Sequence, residues 1–186
     1  MSDKNKRTVL IIGASGMLGH SIFSFLMQNK CFSVFGSVRD ESKVWLFPKY
    51  MQSEIIPGVN AENNDSVIQL MKTVRPEIVI NCAGIIKQSD ALDDVASTIS
   101  VNSTLPHRLA DLCQIQESRL IHISTDCVFL GNKGMYTEED VPDSRDLYGL
   151  SKLMGEPVDT SSITIRTSII GHGLNANQSL IDWFLS

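Results

Sequence analysis

The sequence predicts an α/β fold, a doubly wound parallel sheet of the Rossmann type. Three observations carry this prediction. Short β-rich runs alternate with helical stretches along the whole chain. The first run opens directly into a turn with glycine at every third position, followed by a helix. Each polar cluster of interest comes just after a strand. Strands joined by crossover helices pair in parallel, and such sheets bind ligands beyond the carboxyl ends of their strands.

"TVLIIG" (8–13) is a continuous apolar run, as a strand buried on both faces requires. "GMLGHSIFSFLMQN" (16–29) places apolar residues at helical spacing, and "CFSVFGSV" (31–38) returns to a strand. The stretch holding Trp45, Phe47 and Pro48 reads as a turn of helix or a loop. "SEIIPG" (53–58) is a weak strand, "NDSVIQLMKTV" (64–74) an amphipathic helix and "EIVINCAG" (77–84) a strand. Residues 91–116 read as helix, kinked or split near Pro106, which has no N–H to donate. "RLIHISTD" (119–126) is the next strand. A loop with Gly131, Asn132, Gly134 and Pro142 leads to a helix carrying Tyr148 and Lys152, and "SITIRTSII" (161–169) closes the series.

The 186 residues suit one domain, and 42 % hydrophobic with 20 % charged residues provide for a sizeable core. A net charge of −5 without a basic stripe argues against nucleic-acid binding. No apolar run reaches the roughly 20 residues of a membrane span, and the opening "MSDKNKRTVLIIG" lacks the pattern of a signal peptide. Cys31, Cys82, Cys113 and Cys127 are widely spaced, so reduced, buried thiols and a cytoplasmic location are expected. His20, His107, His122 and His172 have no metal-ligand spacing, and no metal is expected.

The turn "GASGMLG" (13–19) is the candidate dinucleotide site, with Gly13, Ser15, Gly16, Met17, Leu18 and Gly19 as its residues. Gly13 serves the tight turn, Gly16 admits a diphosphate close to the backbone, and Gly19 allows close helix packing. The helix start offers free N–H groups and partial positive charge. Twenty residues beyond Gly19 stands Arg39, whose guanidinium suits a ribose 2′-phosphate. NADP(H) is therefore favoured. Asp40 beside it keeps NAD(H) open, because a carboxylate there holds a 2′-hydroxyl.

"DLYGLSK" (146–152) puts Tyr148 and Lys152 on one helix face. Taken alone, the pair reads first as a surface tyrosine packed on a lysine stem, and the rest of the chain has to overturn that. Behind a strand ending in "ISTD", however, Thr125 can hold a carbonyl while Tyr148 donates a proton, its pKa lowered by Lys152.

Together "GASGMLG", "NCAG", "STDCVF" and "YGLSK" resemble the extended short-chain dehydrogenase/reductase superfamily. The branch typified by dTDP-4-dehydrorhamnose reductase is the nearest, through "STDCVFLGNKGMYTEEDVPDSRDLYGLSKLMGE" (124–156), "VNSTLPHRLAD" (101–111) and "IRTSIIGHG" (165–173). The resemblance implies Thr125, Tyr148 and Lys152 as catalytic residues, with Tyr148 as general acid and Lys152 on the nicotinamide ribose. It also implies that Ala83 and Gly84 line the cofactor, with Tyr148 and Lys152, and that Asn102 supports the lysine. Arg166, Thr167 and Ser168 would lie near the nicotinamide end. Lys87, Thr125 and Asp126 are expected at the substrate, with Gln88 beside them, since "GIIKQSD" (84–90) replaces the segment that usually shapes the sugar pocket. Leu130 also departs from the branch, which often has Asp there.

The expected function is NADP(H)-dependent reduction of a 4-keto-6-deoxy nucleotide sugar for deoxysugar and surface-polysaccharide synthesis. The alternatives are a nucleotide-sugar epimerase or dehydratase of the same superfamily, or a non-catalytic NADP-binding regulatory subunit. Partners would be the nucleotide sugar and, in a homodimer, a second copy, with neither nucleic acid nor membrane. Residues 1–170 are expected to form the NAD(P)-binding domain and 171–186 the start of a truncated substrate-binding domain. The latter carries an apolar patch at Leu180, Ile181, Trp183, Phe184 and Leu185.

Overall fold

The structure, a computed structural model, describes residues 6–87 and 90–174 together with Ile181 and Phe184. Gln88, Leu180, Trp183 and Leu185 lie outside the described residues. Six strands follow the predicted alternation: β1 (Arg7–Ile12), β2 (Phe32–Ser37), β3 (Ile55–Ile56), β4 (Ile78–Asn81), β5 (Arg119–Ser124) and β6 (Ser162–Arg166). They form one sheet in the order β3-β2-β1-β4-β5-β6, parallel throughout. This is the doubly wound Rossmann order, which reverses direction between β1 and β4.

The helices are α1 (Met17–Met27), α2 (Asn64–Val74), α3 (Val95–Ile99), α4 (Leu105–Ile115) and α5 (Leu147–Met154). Strand alternation sorts β1 between two cores. Leu10 and Ile12 pack with Val67, Leu70 and Met71 of α2 and Leu105 and Leu109 of α4. Val9 and Ile11 pack with Phe23 of α1 and with Val34, Phe47 and Ile55. Burial on both faces explains why β1 reads as an unbroken apolar run. Helix starts match their residues: Asn63 Oδ1 accepts from Ser66 N at 3.1 Å to cap α2, and Asp146 Oδ1 accepts from Gly149 N at 2.7 Å to cap α5.

Several expectations are corrected. The 53–58 strand shrinks to Ile55–Ile56, which pairs only Gly36 and Ser37. The 91–116 helix begins with a 3₁₀ turn at Asp90–Asp93 and then breaks at a π-helical turn, Ser100–Thr104, between α3 and α4. Pro106 lies in the first turn of α4, directly after this π turn, so the split expected near it is present. The π turn puts Asn102, fully buried, at the site described below. The cysteines are free as expected, but Cys31 is exposed and Cys82 and Cys127 are half-buried, leaving only Cys113 buried.

Pairing of the sheet ends at Ile12, Ser37, Asn81, Ser124 and Arg166. The sequence-predicted strands overran these points, because Cys82–Gly84 and Thr125–Asp126 are compatible with extended backbone but have no neighbouring strand. These are the residues that line the carboxyl edge.

Candidate active site at the carboxyl edge of the sheet

Gly13 has φ +79°, and a Cβ there would lie 2.8 Å from Ala83 N. The turn after β1 therefore presses directly against the loop after β4. A Cβ on Gly19 would meet Gly13 O at 2.2 Å, so α1 sits against the turn with no room for a side chain. Gly16 differs: the nearest atom to an added Cβ is Gly13 O at 3.4 Å. It is the N-cap of α1, no side chain caps that end, and no acidic residue lies in its first turn. An uncapped helix start beside an open glycine suits the diphosphate of a dinucleotide. Ser15, Met17 and Leu18 stand at the same end of the helix.

Beyond β2, Arg39 and Asp40 are both exposed. Asp40 Oδ1 accepts from Ser42 N at 2.9 Å and caps the 3₁₀ turn Glu41–Leu46. That hydrogen bond, with smaller help from Lys43 and Arg39, holds its carboxyl below the usual range. The carboxylate that kept NAD(H) open is thus turned toward its own backbone, while two cations flank it.

The loop after β4 is clamped by Asn102. Its Oδ1 accepts from Ile85 N at 2.8 Å, and its Nδ2 donates to Ile85 O at 2.9 Å and to Ser151 Oγ at 3.1 Å. A Cβ on Gly84 would sit 3.4 Å from Asn102 Oδ1 and 3.9 Å from Lys152 Nζ. Gly84 therefore stands beside both Asn102 and Lys152, on the loop whose Ala83 presses against Gly13. The Asn102 amide grips the loop that lies beside the ammonium, and its bonds go to Ile85 and Ser151.

Lys152 is buried and donates from Nζ to Ile123 O at 2.7 Å. Burial brings its pKa down to about 8, with Glu156 and Cys82 opposing. Tyr148, one turn earlier, is half-buried, and the Thr125 side chain lies close enough to act on its phenol. Thr125 Oγ1 also accepts from Cys127 N at 3.1 Å, which fixes the threonine. Here the sequence reading needs correction. Burial raises the phenol above its ordinary pKa, and what opposes it is first the Thr125 hydrogen bond and then Lys87, not Lys152. The Lys152 ammonium points to the strand carbonyl instead.

Lys87 Nζ lies 5.9 Å from the centroid of the Tyr148 ring and 2.7 Å from Asp146 Oδ2. Asp126 Oδ2 accepts from Ser168 Oγ at 2.6 Å, joining the ends of β5 and β6. Next to them lies an open cavity of about 430 Å³, lined among others by Asp126, Cys127, Phe129, Tyr136, Arg166 and Ser168. The rings of Phe129 and Tyr136 stack at 4.4 Å, with the Arg166 guanidinium 5.2 Å over Phe129. Arg166 is held by Glu156, so it forms the wall and its charge is already matched. Thr167 Oγ1 turns to Ser168 O at 2.8 Å.

Sequence reasoning missed Asp146, Ser151, Glu156 and Cys127. Asp146 could have been found as a helix-starting aspartate two residues before Tyr148. The others act through tertiary contacts that leave no local pattern. No cluster among the described residues could hold a metal ion.

A family model described as RmlD substrate binding domain matches residues 7–177. The chain is 33% identical over 153 residues to methionine adenosyltransferase 2 subunit beta of Rattus norvegicus, covering 81% of this chain and 42% of the relative. It is 31% identical over 165 residues to dTDP-4-dehydrorhamnose reductase of Aggregatibacter actinomycetemcomitans, covering 86% and 50%. The crystal structure of the dTDP-4-dehydrorhamnose reductase of Bacillus anthracis in complex with NADP is similar at a TM-score of 0.69 and 26% identity, over 87% of this chain and 54% of that one. The chain spans about half the length of the curated relatives it matches.

Proposed function

The chain belongs to the RmlD substrate binding domain family, and on that premise we propose that it is the cofactor-binding part of an NADP(H)-dependent reductase of a 4-keto-6-deoxy nucleotide sugar. The observation that carries this reading is the grouping of Tyr148 and Thr125 at the end of β5 with Gly84 and Lys152, next to the Gly13–Ala83 contact, where the cofactor crevice would run. NADP(H), when bound, supplies the hydride. Gly13, Ser15, Gly16, Met17, Leu18 and Gly19 hold its diphosphate, Arg39 its 2′-phosphate, and Ala83 and Gly84 line its path toward Lys152.

Tyr148 gives its phenolic proton to the oxygen of the carbonyl being reduced. Even an ordinary phenol pKa of about 10 holds that proton at neutral pH, as a general acid requires. Thr125 orients the same oxygen through its hydroxyl. Lys152 places a cation at the cofactor end of the crevice. The sugar lies against Asp126 and Lys87, with the stacked Phe129 and Tyr136 forming the farther wall. A nucleotide sugar as substrate explains why the polar residues extend along the whole sheet edge and beyond a single cofactor's reach.

The test is sustained consumption of NADPH in the presence of a 4-keto-6-deoxy sugar nucleotide, matched mole for mole by product. Conversion of substrate without net NADPH loss would instead indicate an epimerase or dehydratase. A second reading, a subunit role in a larger assembly, is favoured by the 33% identity to methionine adenosyltransferase 2 subunit beta. It predicts cofactor binding without turnover and with no effect of Tyr148→Phe on the assembly's activity.

A further inference from the structure

We propose that Lys87, tethered by Asp146, is a positioning residue that sets the charge environment of the Tyr148 hydroxyl. The inference rests on the reading of Tyr148 as proton donor. The geometry begins with Asp146. Its Oδ1 caps α5 by accepting from Gly149 N at 2.7 Å, while its Oδ2 takes Lys87 Nζ at 2.7 Å. One carboxylate therefore fixes both the start of the helix that carries Tyr148 and the ammonium on the loop opposite. The ammonium lies 5.9 Å from the phenol ring centroid, at cation–π range.

Charges facing Tyr148 come from each segment packed around it. Asp126 and Cys127 approach from the turn after β5 and act to raise its pKa, and Lys87 approaches from the loop after β4 and lowers it. Lys152, on the same helix, spends its hydrogen bond on Ile123 O. Thr125 contributes a neutral hydroxyl. Among the described residues, Lys87 is thus the cation that offsets Asp126 at the phenol. Asp146 also raises the pKa of Lys87 above its ordinary value, which favours the ammonium. An ammonium has three N–H donors, and pairing with Asp146 leaves others for substrate.

The device matters for turnover, because a proton donor must regain its proton from the phenolate form. A cation beside the phenolate makes that form accessible, and a nearby carboxylate does the opposite.

The experiment follows tyrosinate absorbance as the chain is titrated with base. The chain has three tyrosines, so subtracting the Tyr148→Phe curve isolates residue 148. Lys87→Met is expected to raise the Tyr148 midpoint by roughly 0.5 pH unit, and Lys87→Arg to leave it near the parental value. A midpoint unmoved in both Lys87→Met and Lys87→Gln would overturn the proposal. So would an equal rise in Lys87→Met and Lys87→Arg, since that would mark a packing effect. No substrate enters this measurement, so failure here leaves the role of Tyr148 in reduction to be judged separately by NADPH consumption.

Discussion

Glu156 grips Arg166 through both carboxylate oxygens, with Nη2 to Oε2 at 2.7 Å and Nε to Oε1 at 2.9 Å, and its Oε1 accepts the Ser124 hydroxyl at 2.6 Å. One side chain just after α5 thereby ties the last residues of β5 and β6 together. Both partners are mostly buried, so removing one leaves a charge poorly solvated. Glu156→Ala is expected to cost about 2 kcal/mol in urea denaturation. The double variant Glu156→Ala/Arg166→Met should lose less than the sum of the single losses, since it leaves no orphaned guanidinium. Additive losses would show that the pair is uncoupled.

Lys152 carries a pH signature. Its pKa falls from 10.5 in the unfolded chain to about 8 in the fold, through burial. Between those values the unfolded chain binds more protons, so this group makes stability rise with pH across that window. Below about 8 the full penalty of a buried ammonium applies. Lys152→Met should therefore show its largest stability gain over the parent near neutral pH, and the gain should shrink as pH approaches 10.5, as read by melting temperature. Cys82 and Cys113, pushed up to about 12 from 9.0 by burial, act oppositely above pH 9. Cys113 is unaffected by the substitution and cancels, whereas Cys82 loses the opposing charge of Lys152, so the comparison is best read below pH 9.

His122 supplies the acid-side counterpart. It is buried, accepts through Nδ1 from Asn81 Nδ2 at 3.1 Å, and has its pKa lowered to about 3 from 6.5, chiefly by burial. The unfolded chain takes up a proton near 6.5 that the fold refuses, so stability is lost as pH falls from 6.5 toward 3. His122→Gln is expected to flatten that part of the stability profile. An unchanged acid limb would assign the loss to carboxylates elsewhere.

The glycine turn separates packing from binding. Gly19→Ala places a methyl group against backbone, 2.2 Å from Gly13 O, and should lower both the melting temperature and NADPH affinity. Gly16→Ala has space and an ordinary φ of −73°. It should leave the fold within about 1 kcal/mol of the parent yet weaken NADPH binding by tenfold or more. Equal effects of the two substitutions would remove the diphosphate from Gly16.

These contrasts show how far the sequence carried. The strand–turn–helix order and the apolar runs made the Rossmann sheet legible, because β1 is buried on both faces and leaves an unbroken signature. Thr125, Tyr148, Gly84 and Lys152 were also legible, since each follows a strand or shares one helix face. What was not legible depends on contacts across the fold. A π turn has no residue code that a helical period reveals, so the Asn102 clamp on Ile85 appears only in three dimensions. Tyr148 is governed first by burial and then by Thr125, with a smaller contribution from Lys87, 61 positions away in sequence, whereas helical spacing drew attention to Lys152.

On the proposed reading, cofactor choice is decided at the end of β2. With Asp40 committed to Ser42 N, Arg39→Ala is expected to weaken NADPH binding by at least tenfold while changing NADH binding less than twofold, in parallel fluorescence titrations. Equal losses for both cofactors would remove Arg39 from the 2′-phosphate.

The most direct test of the central claim is transfer of label from NADPH deuterated at nicotinamide C4 to a 4-keto-6-deoxy nucleotide sugar. The account predicts one deuterium on the new carbinol carbon, at a rate reduced at least a hundredfold in Tyr148→Phe while that variant still binds NADPH. Product free of deuterium, or Tyr148→Phe working at the parental rate, would contradict it.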